Sequence, residues 1–382
     1  MAKLGDICDV RDGTHDSPSY VDIGYPLVTS KNIVDGKLDL SVVNYISLDD
    51  YNKINERSKV DDGDIIMPMI GTIGNPYLVS GFTDFAIKNV ALIKFNDEKV
   101  NNKYIYYFLN SDKFKGYVAE NNRGGTQKFL SLKDIRNMEI NIVSLDEQLE
   151  IVEILDKISD LIKFRQEQLS KLDELVKSRF VEFFGDPNLN NRGWAMGVIN
   201  DIGTCVAGAT PSTQVKEYWE NGTIPWMSSG EVNKGRVFET DTKITQLGYD
   251  NASTKLVPPK TVVLAMAGQG KTRGTAAITE IELCTNQSIC SIVNNEKANE
   301  EYLLHFLKLQ YMELRGASTN TDGRGGLNLK IIGNYPIMIP PIELQNEFAA
   351  FVEQTDKSKL AIQQSLEKLE TLKKALMQQY FG

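Results

Sequence analysis

The chain has 382 residues, 41% of them hydrophobic, and a formal net charge of −9. That is enough apolar material for two or three cored domains, which excludes a disordered chain. The acidic balance argues against tight unaided binding to a phosphate backbone, because non-specific affinity grows with the number of phosphates neutralised. Met1-Ala2-Lys3-Leu4-Gly5-Asp6 holds no apolar signal core, and no later stretch reaches membrane-spanning length, so a cytoplasmic location without a membrane partner is expected.

Residues 1–143 read mainly as short strands and loops. Apolar runs at 63–67 and 90–93 are bounded by Gly, Asn or Asp, and residues 104–109 are more helix-like. From Asp146 the pattern changes. Ile151, Leu155, Ile158, Ile162, Leu169, Leu172, Val176 and Phe183 fall on alternating steps of four and three, with Arg165 and Arg179 in two of the slots. This is a seam of period 3.5, unbroken until Gly185-Asp186-Pro187. It predicts a helix of about 39 residues, roughly 58 Å long. Residues 186–340 repeat the first layout, with strand-like runs at 261–264 and 288–292 and a helix-like run at 302–307. From residue 341 the seam returns in Phe348, Val352, Ile362, Leu366, Leu369, Leu376 and Tyr380, with Thr355, Lys359 and Lys373 in the remaining slots.

The chain is in fact written twice. Residues 132–185 and 329–382 align without a gap, pairing Leu132 with Leu329, Gln148 with Gln345, Leu172 with Leu369 and Gly185 with Gly382. Solenoid repeats have periods of about 20–50 residues, so this longer one means two domain-sized halves, each with its own globule and helix. The predicted boundaries are 1–143, 144–185, 186–340 and 341–382. Residues 144–185 hold ten acids and six bases, and residues 341–382 six acids and five bases, so these segments carry −5 of the −9 and the globular remainder is nearer neutral. Two uncapped seams of this length in one chain predict helices that pair with each other.

No catalytic constellation emerges. Gly268-Gln269-Gly270-Lys271-Thr272 lacks the leading glycine of a phosphate loop, since position 265 is Ala, and reads as a Gly-rich strand turn like Gly71-Thr72-Ile73-Gly74. Asn75-Pro76-Tyr77 also reads as a turn. Cys8, Cys205, Cys284 and Cys290 show no metal or disulfide spacing and are expected to be reduced core thiols. His305 sits in an apolar helical run and is expected to pack, whereas His15 is placed in a polar loop. Two loops stand out, Asn121–Lys128 and Thr319–Asn328, rich in Gly, Asn, Thr and Arg. Arg, Asn and Gln make bidentate contacts to base edges, and glycines and hydroxyls let a backbone approach phosphates. The residues alone leave open a DNA reader, a coiled-coil scaffold without DNA readout, and a free-standing DNA-modifying enzyme.

A family resemblance spans essentially the whole chain. It rests on Arg11-Asp12-Gly13-Thr14-His15-Asp16-Ser17-Pro18 and residues 24–33 in the first half. In the second half it rests on Gly208-Ala209-Thr210-Pro211-Ser212-Thr213, Tyr218-Trp219, residues 224–231, Asn286-Gln287 and the Pro340-Pro341 step before Gln345. In that order, duplicated around two long helices, the chain resembles the specificity subunit of type I restriction–modification systems. The resemblance implies an α+β fold of two similar mixed α/β target recognition domains, separated by two long antiparallel coiled-coil helices in a pseudo-twofold repeat. It implies double-stranded DNA with a bipartite asymmetric site, two methyltransferase subunits and two restriction subunits as partners. It implies no catalysis and no cofactor in this chain, with S-adenosylmethionine, ATP and Mg belonging to the partners. Loop chemistry and these segments together nominate Thr14, His15, Lys31, Asn32, Arg123, Gln127 and Lys128 for DNA contact in the first domain. In the second domain they nominate Thr210, Ser212, Ser229, Lys271, Arg273, Arg324 and Asn328.

Overall fold

A computed structural model describes residues 1–121, 129–268, 270–317 and 326–382. The chain divides into two compact units: residues 1–166 with 364–382, and residues 167–363. The boundaries fall in the middle of the two long helices. Each long helix contributes about half its length to each unit.

In the first unit an antiparallel sheet runs in the order Asp9–Asp12, Val90–Lys94, Ile65–Pro68, Tyr77–Leu78. Its central strands are buried on both faces, which explains why they read as continuous apolar runs rather than alternating ones. Alternate side chains enter two different cores. Ile65, Met67, Ala91 and Ile93 join Tyr104, Phe108, Ile151 and Leu155 under the helices. Ile66, Val90 and Leu92 join Val28, Ile33, Val60 and Phe85 on the other side. A second sheet, which includes Tyr25–Val28 parallel to Ala86–Ile87, covers that other side.

The second unit repeats the plan. Gly203–Ala207, Ile289–Asn294, Val262–Ala265, Ala276–Thr279 and Arg236–Val237 form its main sheet, and Ile224–Met227 pairs in parallel with Cys284–Thr285 in the smaller one. Val262, Leu264, Cys290 and Ile292 face Tyr302 and Phe306, while Val263, Ala265 and Ile289 face Met227 and Leu283. Both Gly-rich stretches are turns between antiparallel strands, not strand-to-helix phosphate loops. Gly71, Gly74, Gly268 and Gly270 all have positive φ there, which is the reason for glycine.

The two long helices, Leu145–Phe184 and Ile342–Phe381, have 40 residues each, about 60 Å at 1.5 Å per residue. Every predicted seam residue on both is buried or half-buried, and none is exposed. In the first unit, Ile151 and Leu155 share a core with Leu376, Tyr380 and Phe381. In the second unit, Val176, Phe180 and Phe184 share a core with Phe348 and Val352. Within each unit the start of one helix therefore meets the end of the other, and they run antiparallel. Polar seam slots are also used: Lys359 pairs with Asp173 at 2.6 Å, and the Arg179 guanidinium lies 5.3 Å from the Phe183 ring centre and 5.5 Å from that of Phe351. The helix ends are aromatic plugs. Phe381 lies 5.1 Å from Tyr104, and Phe184 lies 4.7 Å from Tyr302. Gly185, at φ +82°, then closes the first helix by donating to the Val181 carbonyl.

One polar clamp joins each helix to its unit. Gln148 is wholly buried; its Oε1 accepts from the Asn101 amide at 2.9 Å, and its Nε2 donates to the Lys99 and Val143 carbonyls. Gln345, equally buried, accepts from Asn299 N–H at 2.8 Å and donates to the Pro340 carbonyl at 2.7 Å. Beside them the Tyr104 hydroxyl donates to the Asn141 carbonyl and the Tyr302 hydroxyl to that of Met338, each at 2.8 Å. Removing a buried partner leaves the other group unsatisfied at a cost of about 1–3 kcal/mol. Gln148→Ala and Gln345→Ala should each lower stability by at least that much in chemical denaturation, while Gln364→Ala, at an exposed position of the second long helix, should stay within about 0.5 kcal/mol.

Candidate nucleic-acid interface

In the first unit, residues 13–15 are zipped onto the strand end at 86–89. Gly13 N–H donates to Val90 O, Thr14 N–H to Ile87 O, and Asn89 N–H to Thr14 O, at 3.0 to 3.2 Å. Gly13 presses so closely on the Ile87 carbonyl that no Cβ fits there. This contact places the His15 ring between two acceptors, with Nδ1 at 2.9 Å from Asn89 Oδ1 and Nε2 at 2.8 Å from Asp12 Oδ2. Asp12 is nearly buried and is held in turn by Arg57. The hydrogen bond to Asn89 and then that to Asp12 raise the His15 pKa above its ordinary value. In the protonated ring both nitrogens donate. Thr14 and His15 line an open groove of about 640 Å³ with Lys53 and Arg57, and Lys88 Nζ meets Ser17 Oγ at 2.8 Å nearby.

Lys31 is exposed on a short turn, Ser30–Asn32, that a buried side chain holds in place. That side chain is Asn32. It is 4% exposed; its Oδ1 accepts from the Thr29 amide and hydroxyl, and its Nδ2 donates to the Asp39 and Val42 carbonyls. Its hydrogen-bonding capacity is spent, so Asn32 builds the turn that presents Lys31 and does not reach out itself. The second unit repeats this device, with Glu231 accepting from the Ser228 amide and hydroxyl and half-buried Ser229 at the equivalent of Ser30.

The second unit also repeats the zipped loop. Gly208 presses on the Thr285 carbonyl as Gly13 does on Ile87, and the exposed Thr210 hydroxyl donates to Gln287 Oε1. Two indoles fix this loop: Trp226 Nε1–H donates to Ala209 O and Trp219 Nε1–H to Ser212 O, each at 3.0 Å. Exposed Lys271 and half-buried Arg273 lie on a turn fastened by Tyr311, whose hydroxyl donates to Lys271 O, and by Arg315, which donates to Gly270 O and Arg273 O. Met266 N–H donates to Ser288 O, and Leu327 N–H to Met266 O. With the Thr210–Gln287 bond, these tie the 208–212, 286–288 and 326–328 segments to Met266, just past the strand Val262–Ala265. Asn328 caps the helix Leu329–Gly333 by accepting from Ile331 N–H. Arg123, Gln127, Lys128 and Arg324 lie outside the described residues. Asn89 and Asp12 were not singled out by the sequence. The one signal for Asn89 was an Asn between two apolar strands, and it does adopt a positive φ of 56°, a conformation that asparagine tolerates.

His305 packs edge-on against Phe348 at 5.5 Å, and burial, followed by the nearby cations, holds its pKa well below the usual range. All four cysteines are free, and burial pushes Cys8 up to about 12 and Cys284 to about 11, so neither is a nucleophile. Among the described residues no group of three or more His, Cys, Asp or Glu could hold a metal ion, and no helix is long and apolar enough to cross a membrane. The chain has only these two histidines, so histidine-selective NMR should show one ring titrating above the ordinary value and one remaining neutral. The raised pKa of His15 contributes stability that is present below about pH 6.5 and lost as pH rises through its folded value. His305, with its lowered pKa, instead makes the fold less stable as pH falls below about 6.5.

A family model described as type I restriction modification DNA specificity domain matches residues 1–174 and 191–373. The specificity subunit of the type I restriction enzyme EcoR124I/EcoR124II from Escherichia coli is 24% identical over 284 residues, covering 72% of this chain and 68% of that protein. The specificity subunit of the type I restriction enzyme MjaIX from Methanocaldococcus jannaschii is 23% identical over 297 residues, covering 73% of this chain and 68% of that protein. The crystal structure of the S subunit of a type I restriction–modification system from M. genitalium covers 100% of this chain and 95% of its own, with a TM-score of 0.61 at 14% identity, which shows a shared fold. The family model matches twice in succession, following the internal duplication and covering nearly every residue; the chain belongs to the type I restriction–modification DNA specificity family.

Proposed function

We propose that this chain is the DNA-reading subunit of a type I restriction–modification complex and performs no chemistry itself. Each unit reads one half of a bipartite site, and the long helices set the spacing between the halves. The observation that carries this is one scaffold used twice with different polar side chains at the same place: His15 with Asn89 in one unit, Thr210 with Gln287 in the other. Equivalent scaffolds with unlike side chains fit an asymmetric target. Two methyltransferase subunits dock on the helices and two restriction subunits join them in the cytoplasm. S-adenosylmethionine, ATP and Mg act in those partners, and the methyltransferase flips the adenine it methylates.

The charge balance supports this division. A chain of net −9 neutralises few phosphates alone, so the partners supply much of the grip. The helices also leave apolar residues outside their seam: Ile154, Leu161 and Phe164 in the first unit, Leu175, Val181 and Leu360 in the second, all at least 40% exposed. Exposed apolar side chains grouped on a helix suit a protein partner.

Deleting the gene should abolish N6-methyladenine at one split, asymmetric motif in the host methylome, and complementation should restore it; unchanged methylation with the gene expressed would reject the assignment. Inserting four residues near Gln166 lengthens the helix by about 6 Å. The preferred spacer should then grow by one or two base pairs while both half-sites stay the same. A changed half-site would count against the ruler.

A further inference from the structure

The zipped loops have a consequence for sequence choice, one that rests on the DNA-reading function above. Asn89 and Gln287 occupy the same place in the two units, each two residues beyond its strand, Ala86–Ile87 or Cys284–Thr285. Each strand is gripped by the glycine that precedes a reading loop, Gly13 or Gly208. In each unit the loop then sends one side chain across to the amide, His15 to Asn89 and Thr210 to Gln287. These pairs bridge segments 74 and 77 residues apart in sequence. They lie at the surface, where a lone hydrogen bond adds little stability, and neither is repeated by side-chain identity. A surface polar bridge kept at one structural position with different chemistry fits selectivity better than folding.

The bridge also orients the amide. Asn89 Oδ1 faces His15 Nδ1 at 2.9 Å, and an oxygen there accepts from an Nδ1 that carries a hydrogen. The Thr210 hydroxyl donates to Gln287 Oε1. In both cases one lone pair of the oxygen is engaged, and among the described residues no hydrogen bond takes up the Asn89 Nδ2 or the Gln287 Nε2. Asn89 additionally lines a cleft of about 390 Å³ with Phe129, Ser131 and Lys133, which offers an aromatic face and a cation beside the amide. We propose that Asn89 and Gln287 are equivalent specificity-determining residues, each presenting its amide N–H2 as a donor to an acceptor on a base edge, with His15 and Thr210 as the positioning residues that hold the amide oxygen.

The chemistry makes the choice of base explicit. A free amide can grip adenine through both N6 and N7, using its oxygen and its nitrogen. An amide whose oxygen is engaged by His15 or Thr210 presents its N–H2 first, and so favours the paired acceptors N7 and O6 of guanine over adenine, where the N7 acceptor stands beside the N6–H2 donor. Exchanging the amide for a carboxylate reverses the sign and favours the N4–H2 of cytosine. Freeing the oxygen lets the amide turn and pair with adenine through both N6 and N7, which raises the affinity for that base.

The test uses the full complex with its methyltransferase subunits. Methylation motifs are read by sequencing, and affinities are measured against duplexes that vary one base at a time. Asn89→Asp, which keeps a residue type that tolerates positive φ, should alter one position in one half-site and leave the other half-site unchanged. Gln287→Glu should do the mirror image. Affinity for the original motif should fall roughly 5- to 150-fold, the usual effect of one mismatched base pair. Thr210→Val should admit adenine at the position that Gln287→Glu alters. A folded variant that methylates the original motif at wild-type strength, or one that loses affinity equally for all sequences, would overturn the assignment, since uniform loss marks a phosphate contact. Gln287 is exposed, so its variants report even where those at Asn89 disturb the loop. If the wild-type complex shows no sequence-dependent methylation, the DNA-reading function itself fails, a result distinct from failure of these two residues.

Discussion

The rest of the molecule depends on a buried amide at the start of each long helix. Gln148 and Gln345 are wholly enclosed, and each accepts from the backbone that begins a domain helix, Asn101 or Asn299, while donating to the carbonyls of the chain entering the long helix. A buried polar group is tolerable only when its hydrogen bonds are made, so the arrangement admits one rotation and one axial position of the helix on its domain. Hydrophobic packing alone is non-directional and would allow sliding. The neighbouring tyrosine hydroxyls, Tyr104 to Asn141 and Tyr302 to Met338, fix the same junction from the other side.

Given that fixed start, the far end of each helix becomes meaningful. Phe184 and Phe381 close the cores of the units that their helices end in, against Tyr302 and Tyr104. Each core is thus completed by an aromatic residue from the last turn of a long helix. Both ends of each helix are anchored by packing that costs several kcal/mol to disrupt, about 3–5 for loss of a buried Phe. The two units differ in how they reinforce the junction. In the second, Arg236 bridges Glu280, Glu301 and Asp356, whereas in the first Lys103 and the Tyr107 hydroxyl meet Asp156.

The polar loops inherit their positions from the doubly buried sheets. The strands that hold the loops, Ala86–Ile87 and Cys284–Thr285, are themselves buried, and Gly13 and Gly208 press directly on their carbonyls. Diverse side chains can then be exchanged on the loops without altering the frame. The helical segments match without a gap while the globules diverge, as the proposed function requires of a shared frame that carries two different reading surfaces.

Much of this was written locally in the sequence. The period-3.5 seams from Ile151 to Phe183 and from Phe348 to Tyr380, the glycine stop at Gly185, and the two Gly-rich turns all follow from short-range stereochemistry and recur in the structure. The duplication and the absence of a phosphate loop were legible for the same reason. The sequence could not say whether a polar loop residue faces outward or inward: Asn32 resembled a reader, yet four hydrogen bonds hold it inside its own turn. Nor could it pair His15 with Asn89, which lie 74 residues apart and meet because Gly13 lets the chain lie flat on a strand. The sequence alone determined periodicity, helix length and repetition, since these depend on neighbours within a few residues. Only the tertiary structure decided where each helix ends its core and which loop side chains meet, because those contacts join segments brought together by burial.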